Sequence, residues 1–207
     1  APTYYGAAPG GDDAVAYCKW LSDQEKTTYR LPTEAEWEYS CRAGTTTQYS
    51  FGDDYNELPK YGWDNKNAGG KSHPVGTLLP NGFGFFDMHG NLYERCGDYY
   101  DEKWHSVSAL NDPNGPIAGS TRVIRGGNWS YNASLCRSAA RYFNAPSLRY
   151  NHSGFRCVRV LDDSSATASV TTQPAVPVAA SGKLFMHDPA FPQWMKDVQA
   201  MPAERQI

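Results

Sequence analysis

Long hydrophobic runs are missing from this 207-residue sequence. A membrane-spanning helix needs roughly 20 consecutive apolar residues, and no segment approaches that length. The N-terminus also lacks the charged-then-apolar pattern of a signal peptide, although the opening APTYYGAAPGG resembles a cut boundary and leaves an upstream segment open. We therefore expect no membrane span. The sequence does not determine the compartment, and a cytoplasmic location is favoured.

Positive charge is also scarce. The 19 Lys and Arg residues are outnumbered by 22 Asp and Glu residues, which gives a net charge of −3 and a pI near 5.9. Such a chain offers no broad positive field to a phosphate backbone, so we expect no nucleic-acid partner.

Paired cysteine motifs are absent as well. The five cysteines are widely spaced and form no CxxC, which argues against a zinc site and against a dense disulfide framework. We interpret them as mostly reduced, buried thiols, with one disulfide left open. No Ser-His-Asp or Cys-His arrangement stands out among the dispersed histidines.

Two amphipathic helices are predicted near the start. The first covers residues 12–26, where apolar residues recur at three- and four-residue spacings behind an Asp pair. The second lies in RLPTEAEWEYSCRAG, where Thr33 is the expected N-cap, Glu36 its capping-box partner and Gly44 the end.

Short strands are predicted later in the chain, between loops rich in Gly, Asn and Asp. The motifs RVIRGGNW and GFRCVRV each alternate apolar and other residues. A further pair of strands is expected on either side of a tight turn at HGN, around Phe83, Phe85, Leu92 and Tyr93.

The domain is expected to cover residues 1–160. Residues 161–182 are rich in Ser, Thr, Ala, Pro and Val and lack aromatic residues, which is typical of a flexible linker. Residues 183–207 regain aromatic residues and are interpreted as a tail, or as the start of a truncated further domain.

Several uncommon motifs occur in a characteristic order: RLPTEAEWEYSCRAG, HPVGTLLPNGFGFFDMHGNLYERCGDYY, RVIRGGNW and CRSAAR…GFRCVRV. In this order they resemble the formylglycine-generating enzyme/sulfatase-modifying-factor domain family, from about Asp12 to Val160. The resemblance implies an α+β, C-type-lectin-like fold with two helices packed on a small antiparallel sheet and much irregular structure. By this resemblance, we expect the N-terminal part of the family domain to be missing or to lie upstream of this sequence.

The family's oxidase chemistry is not expected to carry over. Active members hold copper with two thiolates, and one thiolate cannot replace a pair. Counting from Gly127, the first thiolate position is Tyr131 and only the second is a cysteine, Cys136. We therefore predict no catalytic residue and no copper, with Cys136 as a buried structural thiol. The alternative is a formylglycine-generating or related metal-dependent oxidase that uses Cys136.

A structural calcium site is expected in DMHGNLYE. Carboxylates and carbonyls are the hard oxygen donors that calcium prefers. By resemblance to one of the family's calcium sites, the predicted ligands are Asp87, the carbonyls of Gly90 and Leu92, and Glu94. The alternative is that the two carboxylates only accept backbone hydrogen bonds in a turn.

The segment between Asn128 and Ser153 contains no Lys, Glu, Gln or Met. It offers mainly Tyr, Ser, Asn and Ala, a composition typical of binding loops. This arrangement resembles the variable region of diversity-generating retroelement proteins, in which template Asn codons are randomised. An AAC codon can become Asn, Tyr, Ser, His, Phe, Leu or Ala, but not Lys, Glu, Gln, Met or Trp. An ordinary loop of a catalytically inactive family member stays open as the other interpretation.

We predict a non-catalytic module that binds a protein or other macromolecular ligand through this surface, braced by Arg137, Arg141 and Arg156. A structural domain fused to signalling machinery is a third reading. The predicted ligand-binding residues all carry side chains that such randomisation can reach: Ser130, Tyr131, Asn132, Ser134, Leu135, Ala140, Tyr142, Phe143, Asn144, Ala145, Ser147, Leu148, Tyr150, Asn151, His152 and Ser153.

Overall fold

The computed structural model describes residues 10–104, 108 and 113–160. The predicted linker and tail lie outside these residues. Helix α1 spans Gly11–Glu25, one residue earlier than predicted at each end, and Lys26 ends it in the left-handed conformation at φ 56°. Its buried side, which includes Ala14 and Cys18, packs with Leu31. No helix among the described residues is long and apolar enough to cross a membrane.

Helix α2 spans Glu34–Arg42 and begins with the predicted capping box. The Thr33 hydroxyl accepts the Glu36 N–H at 3.2 Å, and the Glu36 carboxylate accepts the Thr33 N–H at 2.8 Å. The expected terminating glycine, Gly44, follows the C-cap residue Ala43 and has a positive φ of 86°. Ala43 takes the left-handed conformation at φ 50°, and its N–H donates to the Tyr39 carbonyl, which closes the helix.

The main sheet has four strands in the order β4-β3-β2-β5. They are β2 (Tyr93–Tyr99), β3 (Arg122–Arg125), β4 (Arg141–Asn144) and β5 (Ser153–Phe155). The α+β, C-type-lectin-like fold class is confirmed, but the sheet is mixed, not wholly antiparallel. Strand β5 pairs with β2 in parallel, because the chain crosses from β4 at one edge to β5 at the other before pairing again.

A second, two-stranded sheet joins β1 (Tyr29–Arg30) to β6 (Val158–Arg159). The predicted single strand in GFRCVRV is therefore wrong. It is divided between β5 and β6, with Cys157 between them.

The strand expected around Phe83 and Phe85 is also wrong, whereas Tyr93 does begin a strand. The Asn81 side-chain oxygen accepts the N–H groups of both Phe83 and Phe85 at 3.0 Å, which holds this stretch as a turn. A backbone bonded to a neighbouring side chain cannot also join a sheet ladder.

Candidate ligand-binding site

A 3₁₀ helix, Ala133–Cys136, supports the middle of the predicted binding segment. Ala133 and Cys136 are buried in a small cluster with Tyr49 and Leu58. The Tyr49 hydroxyl donates to the Ala133 carbonyl at 2.9 Å. His89 Nδ1 lies 2.9 Å from the Cys136 carbonyl oxygen and donates to it, because a carbonyl can only accept.

Arginines hold the segment on either side of β4. The buried Arg125 donates to the Ala140 carbonyl at 2.5 Å, and Arg141 makes two bonds to the Glu34 carboxylate at 2.6 and 2.8 Å. Arg137 Nε donates to the Ser134 carbonyl at 2.8 Å. Arg156 donates to the Glu94 carboxylate. Arg137, Arg141 and Arg156 thus make charge-assisted hydrogen bonds of the predicted kinds, to a backbone carbonyl or to carboxylates, although the carboxylate partner of Arg156 lies outside the segment.

The turn between β4 and β5 is held through its main chain. The Gly11 N–H donates to the Pro146 carbonyl at 2.6 Å, and the Tyr93 N–H donates to the His152 carbonyl at 2.9 Å. Arg95, of which 1% is exposed, donates to the Leu148 carbonyl at 2.5 Å. Because these bonds go to backbone carbonyls, they do not depend on which side chains the turn carries.

The aromatic side chains of the segment converge on Tyr93. Its ring centroid lies 5.8 Å from that of Tyr142, 6.1 Å from Tyr131 and 6.5 Å from His152. Tyr150 stacks on His152 at 4.9 Å. Tyr93 itself is buried, and burial raises the pKa of its hydroxyl. Three separate parts of the chain therefore meet on one buried ring.

The structure exposes most of the predicted binding residues. The largest exposed side chains are 38–45% accessible, and we call them the contact face: Tyr131, Tyr142, Phe143, Leu148 and Tyr150. Smaller polar residues are exposed beside them, namely Ser130, Asn132, Ser134, Ser147 and Asn151. Partly buried members are Leu135, Ala140, Asn144, Ala145 and His152.

Ser153 does not belong to this surface. It is 3% exposed because it lies in β5 and pairs with Tyr93 of β2. Sequence reasoning also missed two residues that support the contact face, Tyr93 beneath Tyr142 and Tyr100, whose ring centroid lies 4.4 Å from that of Phe143. Both sit in or beside β2, and only its pairing with β3 and β5 brings them to the site.

The Cys136 thiol is fully buried beneath the contact face. Burial raises its pKa to about 12, and burial raises the pKa of Cys41 equally, to about 12. Both thiols are therefore protonated near neutral pH, and a protonated thiol is a poor nucleophile. This environment matches the structural role expected for Cys136.

The predicted calcium ligands have mixed environments. One Asp87 oxygen accepts the Gly76 N–H at 2.7 Å, while the other is buried without a hydrogen-bond partner, and burial raises the pKa of Asp87. That free oxygen fits a cation. The Glu94 carboxylate does not, because it already binds Arg156 and accepts the Trp37 indole N–H at 2.7 Å. Calcium at this loop stays a prediction.

A cavity of about 370 Å³ borders the contact face at Asn132 and Ser134, and Lys66, Arg137 and Asp53 also line it. A larger one, of about 1000 Å³, lies between α1 and α2, away from the predicted residues.

The mixed sheet and its packed helices define a C-type-lectin-like α+β domain, and solved structures share it. A Pseudomonas aeruginosa protein, PvdO, matches with a TM-score of 0.70 and 31% identity, over 78% of this chain and 64% of that one. Variable protein 1 of Treponema denticola matches with a TM-score of 0.67 and 27% identity, over 73% and 69%. The sulfatase-modifying factor enzyme 1-like domain model matches residues 11–161, and the chain belongs to this family.

Curated relatives carry an enzyme name. The formylglycine-generating enzyme of Streptomyces coelicolor is 35% identical over 173 residues, which cover 76% of this chain and 53% of the relative. That of Mus musculus is 38% identical over 164 residues, covering 70% and 41%. The chain thus spans about half the length of the curated relatives that it matches, or less.

Proposed function

We propose that this domain is a non-catalytic ligand-binding module that presents the contact face to a protein or other macromolecule. One observation carries the proposal: aromatic side chains from three parts of the chain, the exposed Tyr131 and Tyr142 and the partly buried His152, rest on the buried Tyr93 ring. Rigid aromatic residues give large contact area at low entropic cost and dominate interface energies. The net charge of −3 supports a ligand other than nucleic acid.

We further propose that the contact face is diversified by a retroelement. Apart from Trp129, which is interpreted as a fixed anchor, the segment between Asn128 and Ser153 carries side chains that randomised Asn codons can reach, between buried anchors such as Ala133 and Cys136. The likeness to a protein named variable protein 1 supports this reading. Sequencing the locus tests this proposal. A reverse transcriptase gene and a near-identical template repeat of codons 125–160 are expected nearby. If neither is found, the proposal of diversification is contradicted.

Binding itself is tested by selection. A displayed library of random peptides is panned against the wild-type domain, and the recovered binders are measured against Tyr142→Ala, Tyr150→Ala and the double variant. Loss of one aromatic anchor typically costs tenfold or more in affinity. The matched control is Tyr39→Ala, which removes a tyrosine that is 68% exposed on α2, outside the contact face. The proposal would be contradicted if Tyr39→Ala lowers the affinity for the recovered binders as much as the contact-face variants do.

The enzyme names of the relatives make a formylglycine-generating oxidase the second candidate. It would require the buried Cys136 to act as a thiolate. The discriminating assay is Cu(I) titration with O₂ and a CxPxR-type peptide. Turnover that disappears in Cys136→Ser would replace the binding-only proposal with the enzyme, and absence of turnover in both proteins is the expected result.

A further inference from the structure

Strand β4 lies at one edge of the main sheet. It pairs with β3 at four consecutive register positions, from Arg122↔Asn144 to Arg125↔Arg141. Within residues 10–104 and 113–160, no strand pairs with its other side. One row of β4 main-chain N–H and C=O groups therefore faces away from the sheet, which is the arrangement that accepts an added strand.

Among the described residues, little covers the side chains of β4 either. Successive side chains of a strand point to opposite faces of a sheet, so a strand packed on one side buries every second residue. Tyr142 and Phe143 are instead 45% and 42% exposed, although they are neighbours. Edge strands are usually protected by Pro, Lys or an inward charge. Strand β4 lacks these protections. Its one charged residue, Arg141, forms an ion pair with Glu34, and Pro146 lies beyond the end of the strand.

Charge favours an acidic partner segment. Residues 126–160 contain five arginines and no Asp or Glu. Arg141 and Arg156 are neutralised by Glu34 and Glu94, whereas Arg137 is exposed. A tight turn, in which the Ala140 N–H donates to the Arg137 carbonyl at 2.9 Å, places Arg137 just before β4. Lys66 adds a second cation to the cavity that Arg137 lines, against the single carboxylate of Asp53.

We infer that the partner of the contact face is an extended polypeptide segment that pairs with the free edge of β4 and places a carboxylate beside Arg137. This inference rests on the proposed function and names the class of its ligand. Main-chain hydrogen bonds to β4 supply affinity that is independent of the side chains at Tyr142 and Phe143, and those side chains supply specificity.

The test uses the peptides recovered by selection on the wild-type domain. Each binder is resynthesised with a single N-methyl group at successive positions, which removes one N–H donor at a time. In a paired strand alternate residues direct their N–H groups to the same neighbour, so affinity should fall about tenfold or more at every second position. Binders should also be enriched in Asp or Glu. The Arg137→Glu substitution should lower the affinity of the domain for these binders about tenfold. The Arg137→Lys substitution, which keeps the positive charge, should leave most of the affinity.

The outcomes separate the two proposals. Binders that need Tyr142 and Tyr150 but show no two-residue period in the N-methyl scan would overturn the edge pairing and leave the binding function intact. Some binders could show the two-residue period in the N-methyl scan, carry no carboxylate and bind Arg137→Glu as tightly as the wild type. That result would contradict the inference that the partner is acidic. Failure to recover any peptide that depends on Tyr142 and Tyr150 would count against the binding function, and with it against this inference.

Discussion

The ring of Tyr142, which is 45% exposed, stacks on the ring of Tyr93, which is 3% exposed, with centroids 5.8 Å apart and planes inclined by 16°. An exposed residue of the contact face is thus positioned by a buried residue of another strand. The two tyrosines have different physical roles, because one contributes to the domain's stability and the other is available to a partner.

The first prediction compares these two residues. Tyr93→Ala should lower the free energy of unfolding by about 3–5 kcal/mol, because it leaves a cavity beneath three rings. Tyr142→Ala should lower it by about 1 kcal/mol or less, because the side chain is already half in solvent. Urea denaturation of both variants checks the difference, and equal losses would contradict the assigned roles.

The second prediction concerns acid stability. Burial lowers the pKa of His89 from its ordinary 6.5 to about 4. Between those two pH values the unfolded chain binds a proton that the folded domain excludes, so the free energy of unfolding should fall as the pH falls. The loss should be on the order of 2–3 kcal/mol across the window.

His89→Gln provides the control for this pH dependence, since glutamine does not titrate. The variant should be less stable at pH 7, because the bonds to Cys136 and Ser50 change, but its stability should vary less between pH 6.5 and 4. Denaturation midpoints of the wild type and of the variant, measured between pH 6.5 and 4, give the two pH dependences. A slope identical to that of the wild type would show that other groups control the acid response.

The third prediction concerns the thiols of Cys18 and Cys157, whose sulfur atoms lie 3.4 Å apart. Oxidised glutathione should convert them to a disulfide, with two molecules of reduced glutathione as the other product. By linking α1 to the β5–β6 connection, the bond should raise the free energy of unfolding by about 3–5 kcal/mol.

Peptide mapping by mass spectrometry identifies the linked pair, and Cys18→Ser is the matched control. Cys41, Cys96 and Cys136 should stay reduced in the folded domain, because all three are buried, whereas Cys157 is partly exposed to glutathione and has the Cys18 sulfur beside it. Linkage through any of these three would contradict the geometry.

The fourth prediction concerns calcium at Asp87. If its free oxygen binds the ion, calcium at 100 times its dissociation constant should stabilise the domain by about 2.7 kcal/mol, and EGTA should reverse the effect. In Asp87→Asn the response should disappear. Without calcium this variant should be no less stable than the wild type, because it removes a buried charge. If neither calcium nor EGTA changes the free energy of unfolding of the wild-type domain, the calcium site is excluded.

Local signals in the sequence predicted the local structure well. The capping box of Thr33 and Glu36 depends only on residues three apart, and it begins α2 as expected. The left-handed conformation of the C-cap residue Ala43 was less predictable, because alanine rarely adopts a positive φ, whereas Gly44 beside it is the usual choice. The turn at Phe83 and Phe85 was missed because the Asn81 side chain competes with strand formation there.

Long-range relationships were beyond local reasoning. The composition of residues 128–153 indicated a binding surface, and ten of its predicted residues are exposed. Nothing in that stretch could show that β5 inserts beside β2 in parallel, which buries Ser153 and brings His152 to Tyr93. Register between distant strands decided which predicted residues face solvent and which support them.

The most direct test of the account is hydroxyl-radical footprinting of the domain with and without a binder recovered by selection. The account predicts that Tyr131, Tyr142, Phe143 and Tyr150 become protected on binding, whereas Tyr39, which is more exposed and lies on α2 outside the contact face, does not change. Protection at Tyr39 with the contact face left reactive would contradict it.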